Sequence, residues 1–328
     1  MGSVRIGFVG TGGIAEAHIR HLTEIPEAQI TACCDINEER VKKVAAPLGA
    51  AVYTDSAKML AEAKLDALYI CVPPHVHGDI EIRAAQKGLH LFVEKPVNLF
   101  IDKARAANEA IKKAGVLSQT GYVLRYYAGS VQLKKFLEGK EVGTAHVFRW
   151  NGLPGVPWWQ KYDQAGGQLV EMTTHQVDLL RWVMGEVTAV NASYSFKRLL
   201  KEHGEVTVPD TQAVLLHFKS GASATISTSC GVGKGYNGGV DFAIKDGKVN
   251  WKGDGIKVEP EGVHTVPPVP AENPSIDAAF VRAVLSGNAA LLRSPFEDGL
   301  KTLAVTLAAN KSAEEGGRLV KISELLPE

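Results

Sequence analysis

Three titratable side chains, Glu171, His175 and Asp178, stand at i, i+4 and i+7. The stretch 170–184 reads as a helix, and that spacing puts all three on one of its faces. Met172, Val177, Leu179, Leu180, Trp182 and Val183 make the rest of the stretch apolar, so the helix is expected to be buried. Buried ionisable groups are costly unless paired or put to use, which points to chemistry at this face. A histidine there can take or return a proton near neutral pH, its unperturbed pKa being ~6.5, and Asp178 can orient the imidazole or hold a hydroxyl. Lys95, in Glu94-Lys95-Pro96 after an apolar run, can stabilise negative charge developing on an oxygen. A solvated helix face and a metal site built from the trio are the competing readings; no metal is expected.

A second set of residues is suited to phosphates. The run Val4–Val9 leads directly into Gly10-Thr11-Gly12-Gly13-Ile14-Ala15, a G-x-G-x-x-A pattern between a strand and a helix. The first glycine permits a tight turn, the second clears the backbone for a pyrophosphate, and the small third residue lets helix and strand pack closely. The free N–H groups at the helix start then face the phosphates. Asp35 ends the next strand 20 residues after Ala15, where a carboxylate accepts the hydroxyls of an adenosine ribose. Its charge repels a 2′-phosphate, and no arginine stands at 36 or 37, so NAD is expected as cofactor in preference to NADP. Asp35 can equally cap the helix that follows. Cys71-Val72-Pro73-Pro74-His75-Val76-His77 closes another strand; its histidine pair lacks local metal-ligand partners and reads as loop or cofactor lining.

The elements that carry these groups change character along the chain. Apolar runs at Val4–Val9, Gln29–Cys34, Ala67–Val72, Leu89–Val93 and Val116–Thr120 alternate with helical stretches Gly13–Glu24, Asn37–Ala46, His75–Lys87 and Asp102–Ala114. Such alternation predicts a doubly wound parallel sheet over 1–121. After Tyr122 come a helix at Ser130–Leu137, a strand at Ala145–Trp150, a Gly/Pro/Trp loop at 151–167, and strands at Thr188–Phe196, Gln212–Phe218, Ala222–Ser229 and Val240–Ile244. Turns between these long alternating runs predict an open, mostly antiparallel sheet in a second domain, 122–328, covered by helices Ile276–Leu285 and Glu297–Ser312. The fold class is α/β.

The 328 residues are 45% apolar and 22% charged, with 36 basic and 36 acidic side chains, and so give no basic excess for nucleic acid. No apolar run of ~18 residues suggests a membrane span, and no leader is apparent, so a cytoplasmic protein is expected. Cys33, Cys34, Cys71 and Cys230 show no C-x-x-C spacing and read as reduced core residues.

With Gly10-x-Gly12-x-x-Ala15, Pro73-Pro74-His75, Glu94-Lys95-Pro96, Gln119-Thr120-Gly121-Tyr122, and Gly166-Gly167 followed by His175 and Asp178, nearly the whole chain resembles the Gfo/Idh/MocA family. The resemblance implies a Rossmann domain, then an α/β domain whose sheet often forms the oligomer interface. It also implies that Lys95 lies beside the nicotinamide and touches the reacting hydroxyl, that His175 is the general acid or base, and that Asp178 belongs to the same site. Where the inositol dehydrogenase branch often has aspartate, four residues before the histidine, this chain has Glu171, which leaves the substrate hydroxyl it meets open.

The residues expected to hold the cofactor are therefore Gly10, Gly12, Gly13, Ile14, Asp35, Pro73, Pro74, His75, His77, Glu94, Lys95 and Arg125. Those expected around substrate are Lys95, Tyr122, Arg125, Trp158, Trp159, Glu171, His175 and Asp178, the Trp pair either stacking on a sugar face or simply packing. The expected activity is hydride transfer between NAD and a secondary alcohol of a sugar, polyol or cyclitol. An NAD-dependent glycoside hydrolase and a non-catalytic dinucleotide-binding sensor are the alternatives. Long alternating strands between Thr188 and Ile244 leave a second sheet face to cover, so a homodimer or homotetramer is expected.

Overall fold

The computed structural model describes residues 2–233 and 235–327, and among these residues the strands form two sheets in two compact units. Unit 1 comprises Met1–Gly121 and Pro274–Leu300; unit 2 comprises Tyr122–Asn273 and Lys301–Glu328.

In unit 1 the strands are β1 (Val4–Val9), β2 (Ala28–Cys34), β3 (Ala51–Tyr53), β4 (Ala67–Ile70), β5 (His90–Val93) and β6 (Ser118–Thr120). They pair in the order β3-β2-β1-β4-β5-β6, all parallel. Helices α1 (Gly13–Thr23), α2 (Glu38–Ala45), α3 (Ser56–Glu62), α4 (Ile80–Gln86) and α5 (Ile101–Ala114) connect them. Strands covered on both faces need apolar residues, which is why β4 reads as a continuous apolar run and β1 as one broken only by Arg5 near its start. Phe8, Tyr69 and Phe92 stack across the middle of this sheet, with the Tyr69 and Phe92 rings nearly parallel and their centroids 4.4 Å apart. The strand order reverses between β1 and β4, and ligands of open parallel sheets bind beyond the strand ends at such a point. The stretch His75–Lys87 is not one helix: a 3-10 turn, Pro74–Val76, stops before Gly78, whose φ of +63° leaves the helical region, and α4 starts only at Ile80.

Unit 2 holds α6 (Ala128–Leu137), β7 (Val142–Asn151), α7 (Tyr162–Ala165), α8 (Gln168–Glu171), α9 (Thr174–Met184), β8 (Val187–Ser195), β9 (Thr211–Phe218), β10 (Ser223–Ser229), β11 (Tyr236–Ile244), β12 (Gly247–Lys252), β13 (Gly255–Glu259) and β14 (Val320–Lys321). The sheet order is β13-β12-β11-β7-β10-β9-β8-β14. Its pairs are antiparallel except β7 with β10. One face packs on the helices through Val147, Leu216 and Phe242 against Phe136, Val177 and Leu180.

Two expectations change here. The helix expected over 170–184 is broken: Thr173 N–H reaches back five residues to the Gln168 carbonyl at 2.8 Å, a wide turn that ends α8 before α9 begins. Glu171 therefore does not share a helix with His175 and Asp178. The cut at 121 coincides with a boundary between the units, but unit 1 also takes in Pro274–Leu300. Helix α10 (Ile276–Ser286) belongs to unit 1, where Phe280 meets Tyr69 and Phe92 edge-on, both at 5.6 Å, instead of covering the antiparallel sheet. Helix α11 (Phe296–Glu314) does reach that sheet's core, through Val305, Ala308 and Ala309. No described helix is long and apolar enough to cross a membrane.

Candidate active site

Unit 1 presents the phosphate-binding arrangement. Gly10 ends β1 at φ +85°, and a Cβ there would overlap the Cys71 carbonyl, so glycine is required by both conformation and space. Gly12 precedes α1 with no side-chain cap, and a Cβ on Gly12 or Gly13 would meet nothing within 4 Å. The first turn of α1 thus offers uncapped N–H groups to open space, with Ile14 exposed beside them.

Asp35, at the end of β2, is nearly buried. It accepts the Thr11 N–H at 2.9 Å, the Thr11 hydroxyl at 3.0 Å and the Asn37 N–H at 2.9 Å. Burial would raise its pKa, but these donors and Arg40 outweigh it and hold the carboxyl below its ordinary range. The cap of α2 is Asn37, whose side chain accepts the Arg40 N–H at 2.9 Å, so Asp35 is not that cap; a cleft lies beside it. That cleft, about 550 Å³, is lined by Gly12, Gly13, Glu16, Asn37, Glu39, Arg40, Lys43 and Val44. Open glycines, an uncapped helix start and an ionised carboxylate at the strand end fit a dinucleotide in this structure.

Arg40 was not legible as a site residue from its neighbours in sequence. It lies five residues past Asp35, and the first turn of α2 brings its guanidinium back to 3.4 Å from the carboxylate. At the end of β4, Pro73 and His75 are half-buried and Pro74 is buried. His77 corrects an expectation: it is 1% exposed and paired through Nδ1 with Glu81 at 2.5 Å, an internal contact and not a cofactor lining.

Glu94 likewise points inward. Its Oε1 meets His18 Nε2 at 2.9 Å, its Oε2 accepts the Lys95 N–H at 3.1 Å, and a Cβ on Gly121 would overlap the carboxylate. The other His18 nitrogen meets Asp277 Oδ1 at 2.7 Å, and the Tyr69 hydroxyl donates to the same oxygen at 3.1 Å. Burial opposes a charge on His18, but the two carboxylates prevail and push its pKa up to about 10. Glu94 therefore braces the backbone of Lys95. Lys95 itself is half-buried. Sequence reading missed His18 and Asp277. The available signal was that His18 falls on the buried face of α1 with Ala15, Ile19 and Leu22.

In unit 2, His175 is the second residue of α9 and half-buried, with Tyr122 edge-on to its ring at 6.1 Å. Tyr122, Arg125, Trp159 and Asp178, expected around substrate, are buried in contacts within unit 2. Tyr122 is fully buried, its hydroxyl 3.1 Å from that of Thr174. Asp178 is 0% exposed, gripped by Arg125 through Nε and Nη2, both at 2.7 Å, and by the Thr302 hydroxyl at 3.0 Å. The Arg125 fork and the Thr302 hydroxyl together enclose that carboxylate. Trp159, 2% exposed, packs with Leu200, Val206, Val208 and Cys230, and its indole N–H donates to Glu171 at 2.6 Å. It therefore offers no free face for stacking and fixes Glu171. Trp158 is half-buried on the same cluster. Among the described residues no cluster of His, Cys, Asp and Glu could hold a metal ion.

Comparison with known proteins bears on both units. Residues 4–122 match the profile of an oxidoreductase family with an NAD-binding Rossmann fold, and residues 131–250 match the GFO/IDH/MocA C-terminal domain. The chain is 29% identical to a myo-inositol 2-dehydrogenase of Thermotoga maritima, over 75% of this chain and 74% of the relative. It is 32% identical to an uncharacterized oxidoreductase, YrbE, of Bacillus subtilis, over 70% of this chain and 68% of that one. Among solved structures, a probable dehydrogenase from Thermotoga maritima superposes with a TM-score of 0.83 at 27% identity, covering 98% of this chain and 100% of that one.

Proposed function

Because the chain belongs to the GFO/IDH/MocA family of NAD-binding oxidoreductases, we propose that it oxidises a secondary alcohol of a cyclitol or sugar, with inositols the first substrates to test. The observation that carries this reading is that one chain holds both a dinucleotide cleft at β1 and α1, beside Asp35, in unit 1 and a half-buried histidine in unit 2. The glycoside hydrolase and sensor readings draw no support from these relatives.

In this proposal NAD, when bound, supplies the nicotinamide that accepts hydride from the carbinol carbon. His175 takes the hydroxyl proton as the C–H bond breaks, and an imidazole suits that task near neutral pH. Lys95 stabilises the alkoxide charge. Gly10, Gly12 and Gly13 admit the pyrophosphate, and Asp35 accepts the ribose hydroxyls. Pro73, Pro74 and His75 form the rim after β4. Glu171, held by Trp159, and Trp158 are the groups left to sort hydroxyls of the substrate. Asp178, Arg125, Tyr122 and Glu94 position the acting groups without touching substrate.

A screen of inositols, polyols and hexoses with NAD, read by the absorbance of the reduced cofactor, tests this function. Stoichiometric NADH formation on at least one cyclitol or sugar is expected. Product formation with no net NADH would replace the dehydrogenase with a redox-assisted hydrolase.

Self-association belongs to the same proposal. Along β7, Ala145 and Val147 point into the core, while His146, Phe148 and Trp150 form a ladder on the other face, Phe148 and Trp150 with ring centroids 5.3 Å apart. A row of aromatics on an uncovered sheet face suits a second copy of the chain. Sedimentation at micromolar concentration should give a dimer or tetramer; a single species at the 35.2 kDa of one chain would end this part of the proposal. A cytoplasmic setting is also proposed, its support being four buried cysteines present as thiols.

A further inference from the structure

Helix α1 does two things in unit 1. Its uncapped start at Gly13 lines the cleft read as the phosphate site. Just over one turn later, on its buried face, His18 reaches Glu94 through Nε2 at 2.9 Å. Glu94 accepts the Lys95 N–H through its second oxygen at 3.1 Å, and its carboxylate fills the space that a Cβ on Gly121 would need. The helix read as the pyrophosphate support is thus tied, through two side chains, to the backbone of the lysine proposed to stabilise the alkoxide.

The tie is built from charge. Asp277, fully buried in the first turn of α10, meets His18 Nδ1 at 2.7 Å, and the Tyr69 hydroxyl donates to the same oxygen at 3.1 Å. The other Asp277 oxygen meets His21 at 3.1 Å. With a carboxylate on each ring nitrogen, His18 is held as a cation in spite of its burial. A cationic imidazole donates from both nitrogens, whereas a neutral one could serve only one of the two carboxylates. An apolar trio of similar volume would join α1, the end of β5 and α10 at least as stably. What the charged trio adds is direction, since each contact fixes the angle of the next.

We propose that His18 and Asp277 are positioning residues of the oxidoreductase: His18, held between Asp277 and Glu94, pins the Glu94 carboxylate and so sets Lys95 relative to the phosphate-binding end of α1. Both act through Glu94. The inference rests on the oxidoreductase reading and on the part that reading gives to Lys95. It makes α10, whose first turn lies more than 250 residues after α1, a supporting part of the reaction centre.

The test is steady-state kinetics on the cyclitol or sugar that the substrate screen identifies, with NADH titration and thermal unfolding on the same samples. Where turnover is slow, product is accumulated over hours. His18→Gln keeps hydrogen-bonding capacity and removes the charge. It should lower kcat per folded molecule by roughly tenfold to a hundredfold, the scale of a small misplacement of an acting group, and leave NADH affinity nearly unchanged. In a Lys95→Ala background the same substitution should lower kcat hardly further, because a residue acting through Lys95 then has nothing to position. Asp277→Asn keeps the side-chain size and should act in the same direction, again only while Lys95 is present. His21→Gln removes an imidazole from the same helix at an exposed position and should leave kcat unchanged.

Wild-type kcat in folded His18→Gln would refute the proposal. So would an equal loss with and without Lys95, which would trace the effect to some other route. A loss of NADH affinity as large as the loss of kcat would place His18 in the cofactor site and equally overturn it. If the wild type forms NADH from none of the screened substrates, the oxidoreductase reading falls first and this inference falls with it. Should His18→Gln not fold, Asp277→Asn decides by the same comparison.

Discussion

In unit 1 a histidine, His18, bridges two carboxylates, Glu94 and Asp277; in unit 2 an arginine, Arg125, forks a single carboxylate, Asp178. Both arrangements are buried, and each stands behind one of the groups proposed to act on substrate. Glu94 accepts the Lys95 N–H, and Asp178 lies one turn beyond His175 on α9. They differ in how their charge is kept. A guanidinium stays protonated at any pH the fold survives, so the Arg125–Asp178 pair is balanced and indifferent to pH over the neutral range. The imidazole of His18 is a cation only because two carboxylates flank it, and its exposed neighbour His21 shares Asp277 at 3.1 Å. One knot is a fixed strut, and the other is a strut that titrates.

The largest effects should come from the groups the knots serve. Lys95→Ala is expected to lower kcat by roughly 10²–10⁴-fold, the scale for losing a positioned proton-transfer or charge-stabilising group. That is about 3–5 kcal/mol of barrier. NADH affinity should move far less, because Gly10, Gly12, Gly13 and Asp35 are the residues proposed to hold the other end of the cofactor. His175→Ala should cost a similar factor, and the double variant should fall short of the product, since groups acting on one proton are not additive. Near-wild-type turnover in a folded, NADH-binding Lys95→Ala protein would remove the proposed mechanism. Turnover and unfolding measured on the same samples separate a chemical role from a structural one.

Next in size is the fixed strut. Asp178→Ala leaves the Arg125 guanidinium buried and without its carboxylate, for which about 3–5 kcal/mol of lost stability is the usual scale. Denaturant unfolding should show it as a lower midpoint with an unchanged slope. The double variant Arg125→Met with Asp178→Leu should recover most of the loss, because an apolar pair of similar volume removes the unpaired charge. If Asp178→Ala alone unfolds like the wild type, the ion pair does not brace α9 and the comparison between the two knots fails.

Much of the fold and of the cofactor end is legible in the amino-acid sequence. The chain of Gly10, Gly12 and Asp35 is local, held in one βαβ unit, and Gly10 has a backbone reason to be what it is. The strands of the parallel sheet announce themselves because strands covered on both faces must be apolar throughout. β3 escapes because Ala51-Val52-Tyr53 is three residues of exposed edge with no such pattern. The break at Thr173 escapes because helical periodicity does not reveal a wide turn of one extra residue. The helix α10 is visible, but not which core it serves; that depends on Asp277 meeting His18 at a separation of 259 residues. The burial of Glu94, Tyr122 and Asp178 is hidden in the sequence for one reason. A polar residue in a motif looks like a ligand, and only packing shows that it is a brace. Arg40 is missed by the opposite error, since a search confined to positions 36 and 37 ignores that a helical turn returns to its start.

The smallest expected effect sharpens the comparison most, because only the titrating strut should show it. His18 has a folded pKa of about 10 against 6.5 for the free side chain. A raised pKa means that the folded protein binds the proton more tightly than the unfolded chain. The stabilisation is therefore fully present below about pH 6.5 and is lost progressively as pH rises toward 10. Cys34, whose thiol is pushed up to about 11 by burial and then by Asp35 and Asp55, adds its own loss once the unfolded thiol ionises near 9.0. The clean window thus lies between about pH 6.5 and 8.5, below the cysteine range. There the wild type should lose stability with rising pH. His18→Gln, with a side chain that forms hydrogen bonds but cannot carry a charge, should be less stable at pH 6.5 by about 1–3 kcal/mol and show a flatter profile. The gap between the two proteins should narrow as pH rises. The variant Arg125→Met with Asp178→Leu serves as the control, and its profile should run parallel to the wild type. Parallel profiles for wild type and His18→Gln across this window would mean that His18 does not carry the extra proton, and the distinction between a fixed and a titrating brace would be lost.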